Sequence, residues 1–171
     1  MSAIDIVVLG AGVSGHTAAM YAKRYLGEDA NITVISPEEK YNWIPSNIWV
    51  GVGQMEAADV LIPLAPVYQK HHVSFHQGRA IELYPEGRIS NPKPSVVYES
   101  TTSSSLGEKK EIHYDFLINA TGPKLNFAAT PGLGPEGFSV SVCTASHATE
   151  AAHQLESVIK EMKQGSKKTL V

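Results

Sequence analysis

The stretch Ile4-Asp5-Ile6-Val7-Val8-Leu9-Gly10-Ala11-Gly12-Val13-Ser14-Gly15 joins an apolar run to a GxGxxG turn. Residues 13–26 have the composition of a helix, and residues 31–36 form a second apolar run. A GxGxxG turn is informative when a strand precedes it, a helix follows it and a second strand completes the unit. The stretch therefore predicts a βαβ unit with a dinucleotide site, against the alternative of an ordinary glycine-rich turn in an α/β domain.

Each position of the turn has a physical reason in such a unit. Gly10 permits the tight turn, Gly12 lets backbone amides approach a diphosphate, and Gly15 lets the helix pack closely on the strand. The first N–H groups of a helix lack partners and carry partial positive charge. We therefore expect Val13 and Ser14, at the start of the helix, to face the phosphates together with the glycines.

Length and composition are typical of a globular chain. The 171 residues are 43% hydrophobic and 18% charged, which suits one domain with a real core. A net charge of −3 without a basic stripe predicts no nucleic-acid partner. The sequence has no apolar run long enough to span a bilayer and no room for a signal peptide before the first strand, so we expect a cytoplasmic protein. A single cysteine and the absence of metal-type histidine spacing predict no metal site.

The order of elements predicts an α/β fold, with a Rossmann-like domain into which an antiparallel meander is inserted. Residues 41–53 fit neither helical nor strand periodicity, and one of Trp43 and Trp49 is expected in the core. The predicted strands are 3–9, 31–36, 73–75, 79–83, 96–99, 111–113, 114–119 (buried) and 139–142, and the predicted helices are 13–26, 63–71 and 146–163.

Residues 167–171 begin a strand that has no sequel in the sequence. We therefore expect residues 1–165 to be the N-terminal part of a nucleotide-binding domain. Residues 166–171 would start a strand of a second, similar domain that the chain does not contain.

Three motifs give the chain a resemblance to a known family. They are residues 120–123 (Ala-Thr-Gly-Pro), residues 45–53 (Pro-Ser-Asn-Ile-Trp-Val-Gly-Val-Gly) and residues 141–148 (Ser-Val-Cys-Thr-Ala-Ser-His-Ala). With the GxGxxG turn, they resemble the sulfide:quinone oxidoreductases of the flavin-dependent pyridine nucleotide–disulfide oxidoreductase superfamily. The resemblance covers nearly the whole chain in register.

The resemblance implies an FAD enzyme that oxidises sulfide to polysulfide or sulfur and passes the electrons to quinone. Family members use three redox cysteines, and this chain has only Cys143, so full activity cannot reside in these residues alone. The resemblance also implies peripheral membrane contact through parts absent here. It is consistent with a homo-oligomer as well as with a monomer. Two alternatives remain: a type II NADH:quinone dehydrogenase or another flavin-dependent disulfide-reductase-like enzyme, and a non-catalytic dinucleotide-binding fragment.

The acidic residue that binds a ribose hydroxyl in many such units would end the second strand. Here Ser36 occupies that position and Glu38 follows, so either side chain is a candidate, with a solvated loop charge as the alternative for Glu38.

The resemblance adds further candidate FAD contacts. Arg79 and Ala80 would reach the adenine through backbone atoms, although a plain surface arginine is equally consistent. The remaining candidates are the strand end at Ala120, Thr121 and Gly122 and the loop residues Pro45, Ser46 and Asn47 beside the flavin.

Cys143 is the candidate catalytic residue. It precedes a helix whose cap is Thr144 or Ser146. A helix N-terminus favours a thiolate, but its dipole contributes only about 0.3–1 kcal/mol, so the flavin, a base such as Lys124 or a covalent link would have to supply the rest. The resemblance implies that Cys143 handles sulfur or tethers the flavin, whereas inert packing is the alternative. His147 is expected to bond back into the cap rather than to act as an acid or base.

Overall fold

The computed structural model describes residues 3–134 and 137–168. The chain divides into two compact units: unit 1, Met1–Tyr41 with Pro63–Pro123, and unit 2, Asn42–Ile62 with Lys124–Val171. The strands and longer helices of the described ranges are β1 (Ile4–Leu9), α1 (Val13–Leu26), β2 (Ala30–Ser36), β3 (Lys40–Asn42), α2 (Asn47–Gly51), β4 (Leu61–Pro63), α3 (Leu64–Lys70), β5 (Ser74–Tyr84), β6 (Ser95–Ser100), β7 (Lys109–His113), β8 (Phe116–Asn119) and α4 (Ala145–Lys163). Short 3-10 turns lie at Gly27–Asp29, Ile44–Ser46, Ala57–Val60 and Phe127–Ala129.

Unit 1 is built on a sheet whose described strands have the order β7-β6-β5-β2-β1-β8. Strands β8, β1, β2 and β5 are parallel, while β5, β6 and β7 pair antiparallel. The predicted α/β fold, a parallel sheet with an inserted meander, is therefore confirmed.

Side-chain alternation along the parallel strands makes two cores in unit 1. Ile6 and Val8 of β1 face one side, where Ala19 of α1 and Leu64 and Tyr68 of α3 cover them. The neighbouring side chains of β1 and β2 face the other side and pack against the meander and the segment before β8; this second core comprises Val7, Leu9, Ile35, Val96, Tyr98 and Tyr114. Burial on both faces explains why β1 and β2 are nearly continuous apolar runs.

Three predicted strands of unit 1 were wrong in detail. The predicted strands 73–75 and 79–83 are, apart from Val73, parts of one strand, β5, which is parallel to β2 as far as Gln77 and antiparallel to β6 from Gly78. The strand predicted over 114–119 begins at Phe116, and it is not fully buried. Because β8 is the last strand of the described sheet, Phe116 is 60% exposed.

Unit 2 packs the short helix α2 against the long helix α4. Its core contains Val50, Val60, Ala145 and Ala148, with Val142 packed against them. A Cβ on Gly51 would lie 3.0 Å from Val142 Cγ1, so the absence of a side chain there lets the two segments approach.

Unit 2 also contains the largest differences from the predictions. Residues 41–53, for which no regular structure was predicted, include the end of β3, a 3-10 turn and α2. Trp43 and Trp49 are 47% and 48% exposed, so the expectation that one of them lies in the core was wrong. Residues 139–142 form no strand, because no described strand pairs with them.

Two further expectations concern the end of the chain and the membrane. Of the strand predicted over 167–171, residues 167 and 168 are irregular and the rest lie outside the described residues. Within the described ranges, none of the helices combines the length and apolar character that crossing a bilayer requires.

Candidate functional site

The carboxyl ends of three parallel strands meet at one edge of the unit 1 sheet. Leu9, the last residue of β1, lies opposite Ile35 of β2 and Asn119 of β8. Hydrogen bonds continue just past the strands: Gly10 N donates to Ile35 O at 2.8 Å and Ala120 N donates to Leu9 O at 2.8 Å. Strand β2 follows β1 on one side of it, whereas β8 pairs with β1 on the other side, so the strand order reverses at β1. Open α/β sheets bind ligands at the carboxyl end of the strands where the order reverses.

Two glycines of the turn are required by the protein itself. Gly10 has a φ of +93°, and a Cβ there would overlap the carbonyl oxygen of Ala120 and lie 2.9 Å from its carbon. A Cβ on Gly15 would overlap the carbonyl oxygen of Gly10. The strand, the turn and the helix can approach this closely only without these side chains.

Gly12 is different, because a Cβ built on it meets no protein atom within 4 Å. Its backbone is extended (φ −69°, ψ −174°), and its carbonyl accepts the first bond of α1 from His16 N at 2.9 Å. No side chain caps this helix start, and Val13 is 61% exposed. An uncapped helix N-terminus with open space in front of it is a cradle that fits a diphosphate.

The strand ends supply the groups beside this cradle. Thr121 Oγ1 donates to Asn119 Oδ1 at 2.9 Å, which fixes the turn after β8. Gly122 has a φ of +73°, which favours glycine, and the space at its Cβ position is open.

The ribose candidates differ sharply in exposure. Ser36 lies at the end of β2 as predicted and is 5% exposed. Glu38, two residues later, is exposed to solvent, while the neighbouring Glu39 pairs with Lys40 at 3.7 Å. Glu38 is therefore the more available hydrogen-bonding group at this edge.

Arg79 and Ala80 lie where β5 has passed the end of β2. The pairing of β2 with β5 ends at Ser36 and Gln77, while β5 continues in register with β6 and shifts register between Ala80 and Glu82. Among the described strands, none pairs at these two residues with the edge of β5 that faced β2, so backbone groups there can bind a ligand.

Behind the first turn of α1 lies a neutral aromatic pair. His16 Nδ1 and the hydroxyl of Tyr68 are 3.2 Å apart. Burial lowers the pKa of His16 below its usual 6.5 and raises the pKa of Tyr68 to about 12, so both groups are uncharged at neutral pH. His16 thus packs the helix onto the core and adds no charge to the cradle.

In unit 2, the structure separates the three loop candidates by burial. Pro45 is exposed and Ser46 is half-buried, both in the 3-10 turn before α2, so their surfaces are available to a ligand. Asn47 is fully buried, and its side chain bonds Asn42 twice and the carbonyl of Val142. Any cofactor contact of Asn47 would have to use its backbone.

Cys143 is exposed and lies just before α4. Its amide donates to Ser141 Oγ at 3.0 Å, and Thr144, the predicted cap, accepts from His147 N at 3.2 Å. His147 therefore joins the cap through its backbone, while its ring atom Nδ1 is buried without a partner in the described chain. The ring lines a cleft of about 830 Å³ together with Lys124 and Phe127.

Comparison with known proteins assigns the chain to a family. A family model described as pyridine nucleotide-disulphide oxidoreductase matches residues 4–164. The chain belongs to the pyridine nucleotide-disulphide oxidoreductase family. FAD is the cofactor of these oxidoreductases, and the cradle at the start of α1 fits its diphosphate.

Two curated proteins and one solved structure are similar to the chain. The sulfide-quinone reductase of Aquifex aeolicus (strain VF5) is 34% identical over 151 residues, which are 88% of this chain and 31% of that protein. An X-ray structure of the sulfide:quinone oxidoreductase from Aquifex aeolicus matches with a TM-score of 0.74 at 33% identity, covering 92% of this chain and 33% of that chain. The external alternative NAD(P)H-ubiquinone oxidoreductase B4, mitochondrial, of Arabidopsis thaliana is 27% identical over 135 residues, 78% of this chain and 22% of that protein.

These matches confirm the resemblance to sulfide:quinone oxidoreductases drawn from the motifs. The chain spans only 31% and 22% of the two curated relatives' lengths. It is similar both to a sulfide-quinone reductase and to an NAD(P)H-ubiquinone oxidoreductase.

Asn42 is a structural residue of this region that the sequence analysis did not single out. It forms the other half of the buried amide pair with Asn47. A Pro-Ser-Asn motif preceded by a second asparagine five residues earlier was the only local signal for it.

Among residues 3–134 and 137–168, no group of three His, Cys, Asp or Glu side chains is placed to hold a metal ion.

Proposed function

We propose that this chain forms the FAD-binding part of a sulfide:quinone oxidoreductase, which oxidises sulfide to polysulfide or sulfur and reduces a quinone. The observation that carries the proposal is the exposed Cys143 within the family-like motif of residues 141–148, in a chain 34% identical to a sulfide-quinone reductase. The open helix start at Gly12 supports the FAD part of it.

The diphosphate of FAD would be held by the amides of Gly12, Val13 and Ser14. Exposed N–H groups at a helix start bind anions well because they are unpaired and the helix dipole adds positive charge. Gly10 and Gly15 would shape the turn that presents these amides, since their Cβ positions are occupied by protein atoms.

The rest of the cofactor would lie along the same sheet edge. We propose that Glu38, with Ser36 beside it, accepts a hydrogen bond from the adenosine ribose. The backbone at Arg79 and Ala80 would contact the adenine, and the turn at Ala120, Thr121 and Gly122 would contact the flavin side. We assign Pro45 and Ser46 of unit 2, and Asn47 through its backbone, to the flavin ring on the strength of the motif.

The proposed reaction is a two-electron oxidation. Each sulfide sulfur that becomes zero-valent sulfur loses two electrons, and a quinone that becomes a quinol gains two electrons and two protons. FAD supplies the two-electron redox chemistry when it is bound. Cys143 would have one of two roles: its sulfur atom would take part in sulfide oxidation, or it would be the attachment point of the flavin. Its exposure gives a small anion access to the sulfur.

The chain alone would not perform this reaction. We propose that residues 1–165 are the N-terminal part of an FAD domain and that residues 166–171 lead into a second nucleotide-binding-like domain. The further redox cysteines and the quinone contact would lie in that remainder, with the protein peripheral to the cytoplasmic side of a membrane.

The test is an anaerobic assay of the purified full-length flavoprotein with a soluble quinone analogue and either sulfide or NADH. We expect sulfide to drive quinone reduction and NADH to be ineffective. Cys143→Ala should abolish the sulfide-dependent rate while retaining FAD, and Ser141→Ala, which leaves the thiol in place, should retain most of it. Full sulfide activity in Cys143→Ala would reject the role of this residue.

The second candidate is an NADH:quinone dehydrogenase, which the identity to the Arabidopsis NAD(P)H-ubiquinone oxidoreductase favours. In that case NADH would reduce the quinone and Cys143→Ala would be silent. The same assay therefore separates the two candidates.

A further inference from the structure

The geometry points to Asn47 as a positioning residue: with Asn42 it holds the backbone that leads into Cys143. Asn47 is fully buried at the first turn of α2, and Val142, whose carbonyl it binds, directly precedes Cys143. Its importance for catalysis rests on the proposed function, but the positioning itself does not.

The side chain of Asn47 uses both of its N–H donors and its carbonyl oxygen in hydrogen bonds. One Nδ2 proton goes to Asn42 Oδ1 at 3.0 Å and the other to Val142 O at 3.0 Å, while its Oδ1 accepts from Asn42 Nδ2 at 2.9 Å. A flipped amide would point its oxygen at the Val142 carbonyl oxygen and lose that bond. The network therefore selects one orientation of the Asn47 side chain.

The arrangement needs this side chain because residue 142 has no strand partner in the described chain. Residues 139–142 are irregular, so the Val142 carbonyl lacks a ladder bond and Asn47 satisfies it. The side chain of Val142 packs against α2 as well, with its Cγ1 3.0 Å from the Cβ position of Gly51. The residue before Cys143 is thus held to α2 by both its backbone and its side chain.

The amide pair offers a matched comparison. Asn47→Asp and Asn42→Asp each replace one amide of the pair by a carboxylate and remove one donor from it. Only Asn47→Asp also loses the donor to Val142 O, whereas Asn42→Asp loses a longer bond, of 3.5 Å, to Val60 O. A difference between the two variants in the mobility of the segment before Cys143 therefore reports the bond to Val142 O.

The experiment attaches a nitroxide label to Cys143, the single cysteine of the 171-residue chain. Electron paramagnetic resonance then measures how mobile the labelled segment is in the parent chain and in each variant. We expect Asn47→Asp to increase the mobile fraction at least twofold over Asn42→Asp, measured at a temperature well below the unfolding midpoint of both variants. Equal label mobility in the two variants would overturn the inference. If either aspartate variant fails to fold, the uncharged pair Asn47→Ser and Asn42→Ser replaces it.

A second measurement separates this inference from the proposed reaction. In the full-length flavoprotein, Asn47→Asp should lower kcat with sulfide about tenfold more than Asn42→Asp does, and the KM for quinone should stay the same. If the label is mobile in Asn47→Asp but the parent full-length protein shows no sulfide activity, the proposed function is rejected and the positioning role stands. A rigid label in Asn47→Asp would reject the positioning role whatever the activity.

Discussion

Replacing Gly10 and Gly12 separately by alanine should distinguish the glycine that the fold needs from the glycine that the cofactor needs. The two residues share one turn and lie two positions apart. Around Gly10 the added Cβ would overlap Ala120 O, whereas around Gly12 it meets nothing within 4 Å.

The expected stability changes follow from these surroundings. At Gly10, a non-glycine residue at φ +93° costs about 1–3 kcal/mol in backbone strain, and overlap with a backbone carbonyl adds about 1–3 kcal/mol. We therefore expect Gly10→Ala to lower the free energy of unfolding by about 2–6 kcal/mol. At Gly12, whose backbone any residue can adopt, the change concerns only the helix cap and should stay under about 1 kcal/mol.

Gly12→Ala, which should hardly change stability, should weaken FAD binding. Its Cβ would enter the space in front of the exposed amides, where it would displace the diphosphate from one charge-assisted hydrogen bond. Such a bond is worth about 1.5–3 kcal/mol, so the dissociation constant for FAD should rise about tenfold to hundredfold in Gly12→Ala.

The assay has two parts. Urea unfolding is measured on protein stripped of FAD, because a ligand at 100 times its Kd adds about 2.7 kcal/mol and would mask the comparison. FAD affinity is then measured by fluorescence quenching on refilling. Parent-like FAD affinity in a stable Gly12→Ala protein would refute the assignment of this open space to the diphosphate.

Three further predictions concern stability. Thr144→Ala should cost about 0.5–2 kcal/mol in urea unfolding because the cap bond to His147 N is lost, whereas Thr144→Ser should be close to the parent. Gly78→Ala should cost about 1–3 kcal/mol, because its Cβ would overlap the Tyr98 ring; an unchanged urea midpoint would contradict the packing described. Because burial lowers the pKa of His16 in the folded state, its contribution to stability is present above its ordinary pKa of 6.5 and is lost as the pH falls through its lowered value. The urea midpoint should therefore drop on acidification less steeply in His16→Gln than in the parent, and equal slopes would contradict this.

The sequence could predict the βαβ unit because its signals are local. The apolar runs of β1 and β2, the glycine turn and the bounds of α1 lie within residues 4–36, where period and turn chemistry act over a few residues. The cap at Thr144 was likewise one of two residues identified in advance, because a hydroxyl before a helix is a local signal.

The rest could not be predicted because its causes are distant in sequence. Strand β5 continues through Gly78 although its pairing partner changes there from β2 to β6, and the sequence therefore predicted two short strands instead of one. The bond from Asn47 to Val142 joins residues 95 positions apart, and no local pattern predicts it. The difference between Gly10 and Gly12 depends on Ala120, which β8 brings alongside β1.

The most direct test of the central claim is an experimental structure of the protein with FAD bound. The measurement is the distance from the diphosphate oxygens to the backbone nitrogens of Gly12, Val13 and Ser14. We expect at least two of these distances to lie at about 2.7–3.2 Å, the range of N–H···O hydrogen bonds. A diphosphate more than about 6 Å, twice a hydrogen-bond distance, from all three nitrogens would contradict the account.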